Sequence, residues 1–433
     1  MKSGLIHRLI ICALFATALG ACEVEHPIGS TIKGTRIAVL PNNKGVEADK
    51  ELTGQKPEIL ETMMNSNWPQ AGFDAEHHMP NAAVSDHPQE VWTANVGTGS
   101  SSDFKLLARP VALDGRIYTM DAEGTVKAFD AKSGENLWSF DTTPKDSDES
   151  EIAGGLGVDG DTVYATTGFG EVVALKVADG SVRWRHTMMN PLRAPPTISE
   201  GRVYVVSIDN ELQALDARTG NTLWHHNGIS ESATLMGASS PAVLGDSVVV
   251  AYSSGEIYNL RAENGRVSWN YMLTTPTQVG ALPAIADIRG LPVIDRGRVY
   301  AISHSGRMAA VDHRTGDRVW EAEIGGINTP AAAGDSVFVL TNDGHLSALD
   351  TQSGRIVWVQ ELQKLEDPDD HDSDPVFWTG PIMANGHLWL VNSLGQLVSF
   401  SPGDGSILDT VDLGRAAYIA PIVAGGMMYV VTD

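Results

Sequence analysis

Cysteine is nearly absent: the 433 residues hold two. That excludes a disulfide-stapled scaffold, a cysteine-rich zinc module and a cysteine-ligated iron–sulfur cluster. Positive charge is also scarce. Lys and Arg number 30 against 54 Asp and Glu, for a formal net charge of -24. Nucleic acid and anionic lipid surfaces both need a cationic face, so neither is the main partner. Long apolar runs are missing beyond the N-terminus. The best later candidate, 416–431, is broken by Pro421 and by Gly425-Gly426 and reads as strand, turn, strand. No Gly-x-Ser-x-Gly, His-Glu-x-x-His or phosphate loop occurs. Helical spacing is nowhere convincing after the first 21 residues.

Those first residues form a separate unit. Lys2 and Arg8 precede an apolar run from Leu9 to Leu19, and the small residues Gly20 and Ala21 follow. This is the pattern of a secretory signal peptide over residues 1–21. Leu19-Gly20-Ala21-Cys22 resembles a bacterial lipobox. The resemblance implies that Cys22 is diacylated on its thiol and then acylated on its new amino group. Acyl chains contribute about 0.8 kcal/mol per buried CH₂, so three of them anchor a protein firmly. Cys12 leaves with the signal, and Cys22 is the one cysteine that remains. Glu23, not Asp, follows it, which favours the outer over the inner membrane. Residues 22–33 read as a lipidated tether.

What is abundant is glycine, 44 residues, and it is periodic. A ten-residue stretch recurs: FDAKSGENLW (129–138), LKVADGSVRW (175–184), LDARTGNTLW (215–224), LRAENGRVSW (260–269), VDHRTGDRVW (311–320) and LDTQSGRIVW (349–358). FSPGDGSILD (400–409) is a seventh copy without the Trp. Ten residues before the Gly of each copy lies another turn residue. It is Gly in six copies and Asn210 in the third, and Asn is the residue after Gly that best tolerates positive φ. Alternating apolar runs such as RVYVVS and SVFVLT lie between the turns, and period-2 alternation bounded by turn residues means strands.

Units of this length with four short strands each match β-propeller blades. The sequence therefore predicts an all-β, eight-bladed β-propeller of four-stranded antiparallel blades over residues 34–433. Trp138, Trp184, Trp224, Trp269, Trp320 and Trp358, at fixed repeat positions, are expected to dock neighbouring blades. The N-terminal strings Gly34–Leu40 and Trp92–Val96 resemble the strands missing after Asp433, so they are expected to complete the last blade and close the ring. Residues 41–90 lack strand signal and read as a long, partly disordered excursion.

The pattern Ala-x-Asp-x-x-Thr/Ser-Gly-x-x-x-Trp, clearest at 215–224, resembles the repeat of pyrroloquinoline-quinone (PQQ) dehydrogenases, in which the Trp docks between blades. The lipobox, the length and the blade count together resemble the BamB family, lipoproteins of the outer-membrane β-barrel assembly machinery. The strings KGTRIAVL and PVIDRGRVYAISHSGRMAAVD (292–312) look like its alphaproteobacterial branch. The resemblance implies a non-enzymatic scaffold without cofactor, on the periplasmic face of the outer membrane. Its partners would be BamA-like POTRA domains and nascent outer-membrane proteins. It places two contact loops. Leu192 and Arg193 match a Leu-Arg pair before a Pro-containing strand, while Asn190 stands where the family has an apolar residue. Asp287 matches the first acidic residue of the second loop, and Arg289 reverses the charge of the second. Leu192 and Arg193 are expected in a surface loop outside the repeat core.

Other chemistries have weaker support in the residues. A PQQ-dependent dehydrogenase is the enzymatic alternative, but the adjacent-cysteine disulfide usual in that family cannot form from Cys22 alone. A generic cell-envelope binding propeller is the third. The acidic run 366–374 offers hard oxygens for Ca²⁺. It lacks the Gly and closing Glu of an EF-hand loop, so a solvated loop is the stronger reading, as for 146–151. His77, His78 and His87 fall in the excursion, and adjacent histidines rarely chelate one ion.

Overall fold

The alternation of apolar residues between Gly and Asp turns produces strands and nothing else. The computed structural model describes residues 46–433 apart from 53, 102–103, 148–150, 232–233 and 274–285. The signal peptide, Cys22, the tether and Gly34–Leu40 lie outside the described residues. Seven antiparallel four-stranded sheets follow one another, each in simple meander order. They are the blades spanning 111–141, 155–187, 197–227, 242–272, 293–322, 331–361 and 378–412. A two-stranded sheet, Ile422–Ala424 with Met427–Tyr429, comes last. Among the described residues the expected eight four-stranded blades are thus corrected to seven plus this pair. Trp92–Val96 does not join the pair's ladder. It meets the pair through a side chain instead: the Trp92 ring lies 5.9 Å from that of Tyr429.

The first strand of each blade is innermost and almost wholly buried; the fourth is outermost and alternates exposed with buried residues. Innermost strands of successive blades touch one another around the axis. Because each blade enters at the axis and leaves at the rim, the connections between blades and the turns between second and third strands share one face, here the connection face. The other hairpin turns share the opposite, turn face. Asn210 sits at the second-to-third-strand turn of the third blade with φ 63, where the other blades carry Gly.

Blades dock through one repeated device. The indole N–H of Trp138 donates to Val177 O at 3.0 Å, Trp184 to Ala217 O at 3.0 Å and Trp224 to Ala262 O at 2.8 Å. Trp269, Trp320 and Trp358 reach His313 O, Thr351 O and Pro402 O in the same way at 2.8–2.9 Å. Each ring also lies flat on the motif Gly of the next blade. A Cβ on Gly180 or Gly220 would stand 2.6 Å from the preceding blade's indole, so the motif needs Gly for contact as well as for φ. Trp92 repeats the device at the seam. It donates to Ala131 O at 3.2 Å, and Gly134 lies under its ring.

The segment expected to be a partly disordered excursion is the largest departure. Residues 65–82 run inside the ring and bond to its innermost strands in ring order. Asn65 Nδ2 donates to Val423 O at 2.5 Å. Trp68 exchanges two backbone bonds of 2.8 Å with Ala112. Val158 N donates to Pro69 O, and Gln70 exchanges two side-chain bonds with the backbone of Ile198. Val243 N and Ile294 N donate to Ala75 O and Glu76 O, and Ala82 N to Met383 O. The sixth blade is reached from Glu58 N, which donates to Asp335 Oδ1 at 2.8 Å. Trp68 and Ala82 are fully buried, and Met79 nearly so. The segment is a plug that makes one circuit of the channel from the turn face. It has no strand period because it passes from one blade to the next after one to three bonds.

Candidate partner-binding site

Leu192 is not on the surface. It is 0 % exposed, its N–H donates to Thr167 O at 3.0 Å, and it pairs with Ser207 of the third blade. Its side chain packs with Tyr164, Val172, Ile198 and Val203 in the seam between the second and third blades. The expectation of an exposed loop residue is corrected: the connection is short, and the apolar seam beneath it takes the Leu. Arg193, next in the chain, is half-buried, and its Nε is buried without an acceptor. The residue that does stand out here is Met189, 93 % exposed.

Asp287 is also buried. Its Oδ2 accepts the Leu235 N–H at 2.7 Å, and its carbonyl accepts from His304 N at 2.9 Å. Burial pushes its carboxyl pKa up, opposed by the Leu235 bond and by the charges of Arg289 and His304. Asp287 therefore fixes the connection that carries Leu235.

That connection, 228–241, is what the sequence reading missed, and it joins the two predicted loops. Ser240 Oγ donates to Pro195 O at 2.6 Å on one side, and Ser239 Oγ to Gly290 O at 3.1 Å on the other. Its start is held by Glu256, a buried carboxylate that accepts from Ile229 N, Ser254 Oγ and Tyr258 Oη at 2.7–2.8 Å. Ile229 and Met236 remain exposed on it. A shallow cleft, open to solvent, lies between the third and fourth blades, with Asn210, Thr234, Ser253 and Asp287 among its lining residues. The only sequence signal was that this connection is long and carries three large apolar residues, Ile229, Leu235 and Met236, among Ser and Gly.

The histidines do not converge. His77 is buried with Nδ1 2.9 Å from Pro292 O, His78 Nε2 lies 3.5 Å from Asp295, and His87 pairs with Asp409 at 2.9 Å. In the acidic run, carboxylates turn to their own backbone, Asp367 Oδ1 accepting from Asp369 N and Asp370 Oδ1 from Asp372 N at 3.0 Å. Among the described residues no group of three or more His, Cys, Asp or Glu is arranged to hold a metal. Among them, too, no helix is long and apolar enough to cross a membrane.

Comparison with known proteins gives this geometry a context. The sequence matches the family described as outer membrane protein assembly factor BamB over residues 83–144 and 122–360. The factor of that name from Yersinia pestis is 30% identical over 246 residues, 56% of this chain and 62% of the relative. The chain therefore spans less than two thirds of that relative's length. The factor from Salmonella typhimurium is 28% identical over 364 residues, 79% of this chain and 86% of the relative. The crystal structure of BamB from Moraxella catarrhalis matches with a TM-score of 0.66 at 21% identity, covering 77% of this chain and 96% of that one. A quinohemoprotein alcohol dehydrogenase from Comamonas testosteroni shares the fold, with a TM-score of 0.63 at 14% identity over 84% of this chain and 76% of that one. The chain belongs to the family of outer membrane protein assembly factor BamB.

Proposed function

We propose that this chain is a non-enzymatic scaffold of outer-membrane β-barrel assembly. It is lipid-anchored through Cys22 to the periplasmic face of the outer membrane and docks a BamA-like POTRA domain on the connection face of its third to fifth blades. One observation carries the placement: connections 188–196, 228–241 and 286–291 are hydrogen-bonded to one another and present exposed Met189, Ile229 and Met236. A rigid surface with a few apolar anchors is what a hot-spot interface needs. In this reading Leu192 and Asp287 hold the loops in place, and Met189 with Arg193 meets the partner.

The test is binding of an immobilised POTRA array. Met189→Glu with Arg193→Glu should weaken binding at least about tenfold, or 1.4 kcal/mol. Arg314→Glu, on the turn face, should bind as the parent does. A full loss from Arg314→Glu with none from the pair puts the partner on the other face. The anchor is tested separately: Cys22→Ser should take up no labelled palmitate, and incorporation there would end the lipobox assignment.

A further inference from the structure

Arg109 and Arg289 stand at the connection-face end of the channel, directly before the innermost strands Val111–Leu113 and Val293–Asp295 of the first and fifth blades. Both lead to the same turn of the plug. Arg109 Nη1 donates to Ala71 O at 3.1 Å. Three residues after Arg289, Pro292 O holds the ring of His77. Ala71 and His77 belong to one tight turn, since a Cβ on Gly72 would stand 2.4 Å from the His77 ring. Arg289 lies over Gly237, whose added Cβ would be 2.9 Å from its Nε.

The two guanidiniums are poorly served. Each carries five N–H donors. Among the described residues Arg109 has the one bond to Ala71 O, Arg289 has none, and neither forms an ion pair within 4.0 Å. Burial pushes the Arg109 pKa down to about 10, and the charge of Arg289 pushes the same way. A chain of net charge -24 has brought two half-buried cations together; the charge of Asp287 acts on Arg289, but Arg109 has no carboxylate partner. Partly buried charges are stable when paired, and a guanidinium pairs best with a two-oxygen anion.

We propose that Arg109 and Arg289 form an oxyanion site at the channel mouth, floored by the plug turn at Ala71–His77, for a carboxylate or phosphate group entering from the connection face. The site goes beyond the docking reading and does not depend on it. The group can come from a free anion or from an acidic side chain of a bound protein.

Isothermal titration of the full mature chain at fixed ionic strength tests this with two probes, inorganic phosphate and the peptide Gly-Glu-Gly. Binding of phosphate identifies a free-anion site; binding of the peptide alone identifies a side-chain receptor. Either should fall at least about tenfold in Arg109→Gln/Arg289→Gln and stay unchanged in Arg266→Gln, on an exposed turn. If the Gln pair does not fold, Arg109→Lys/Arg289→Lys replaces it. Lysine lacks the two-point grip, so affinity should still drop at least about threefold. No heat with either probe, or equal affinity in parent and Arg-pair variant, overturns the proposal.

Discussion

His77 carries a pH dependence of its own. Burial pushes its pKa down to about 4; the bond to Pro292 O opposes this and the Arg109 charge adds to it. The unfolded ring titrates near 6.5, so between pH 6.5 and 4 the unfolded chain binds more protons than the folded one. The stability from neutral His77 is full above pH 6.5 and is lost as pH falls towards 4, by about 3 kcal/mol. His77→Asn keeps a donor and tolerates the φ of 60 but does not titrate. Denaturant melts at pH 7.5, 6 and 4.5 should show a shallower acid decline in the variant; parallel curves would refute the argument. Sequence legibility at this scale was uneven. The docking Trps and Asn210 were readable because they recur at a fixed spacing. Leu192 was not, because what buries it is Tyr164 and Val203 in two different blades, and nothing local announces that. Adjacent His77 and His78 gave no sign of which would be buried.

The plug is the element that pattern reading misjudged, and the reason is physical. Strand signal comes from a ladder, in which every second residue faces the same neighbour. Residues 65–82 exchange no more than three bonds with any one blade, so their apolar residues, Trp68, Ala71, Met79 and Ala82, fall at no fixed interval. The blades by contrast were legible down to their turns. Trp68 is 0 % exposed against the innermost strand of the first blade and meets Phe73 edge-on at 5.2 Å. Trp68→Ala should cost about 3–5 kcal/mol. Replacing 65–82 by a Gly/Ser linker should cost more and should broaden the thermal transition, because neighbouring blades lose a shared tie. A variant that melts as sharply and as high as the parent would mean that the plug rests in the channel without supporting it.

At the scale of the molecule, the blades form a repeat array in which each unit touches its neighbours, so stability is a sum of units and seams. Closure adds one more seam, and Trp92 makes it with the same indole bond and the same underlying Gly as the others. Trp92→Ala should therefore destabilise locally. Hydrogen exchange should quicken first in Met427–Tyr429 and in the first blade, with the fourth blade, across the ring, unaffected. Trp224→Ala should reverse that map, quickening the third and fourth blades. Uniform quickening in both variants would show the ring to be a single cooperative unit. The number of four-stranded blades was the global feature misread. Repeat counting registers the last unit, but only a ladder makes a blade, and Trp92–Val96 joins Tyr429 by a ring contact.

The circuit of the plug also fixes how many units the molecule can have and when it can be finished. Repeat arrays gain and lose copies readily, since any unit can follow any other. Here residues 65–82 are cut to a measured length, with Trp68, Pro69 and Gln70 assigned to three successive blades and Ala82 to the seventh. Duplicating or deleting a blade leaves those bonds out of step. The plug also precedes every blade in the chain, yet Asn65 closes on Val423, 358 residues further on. A chain cut short before that point leaves the plug's first anchor unfilled.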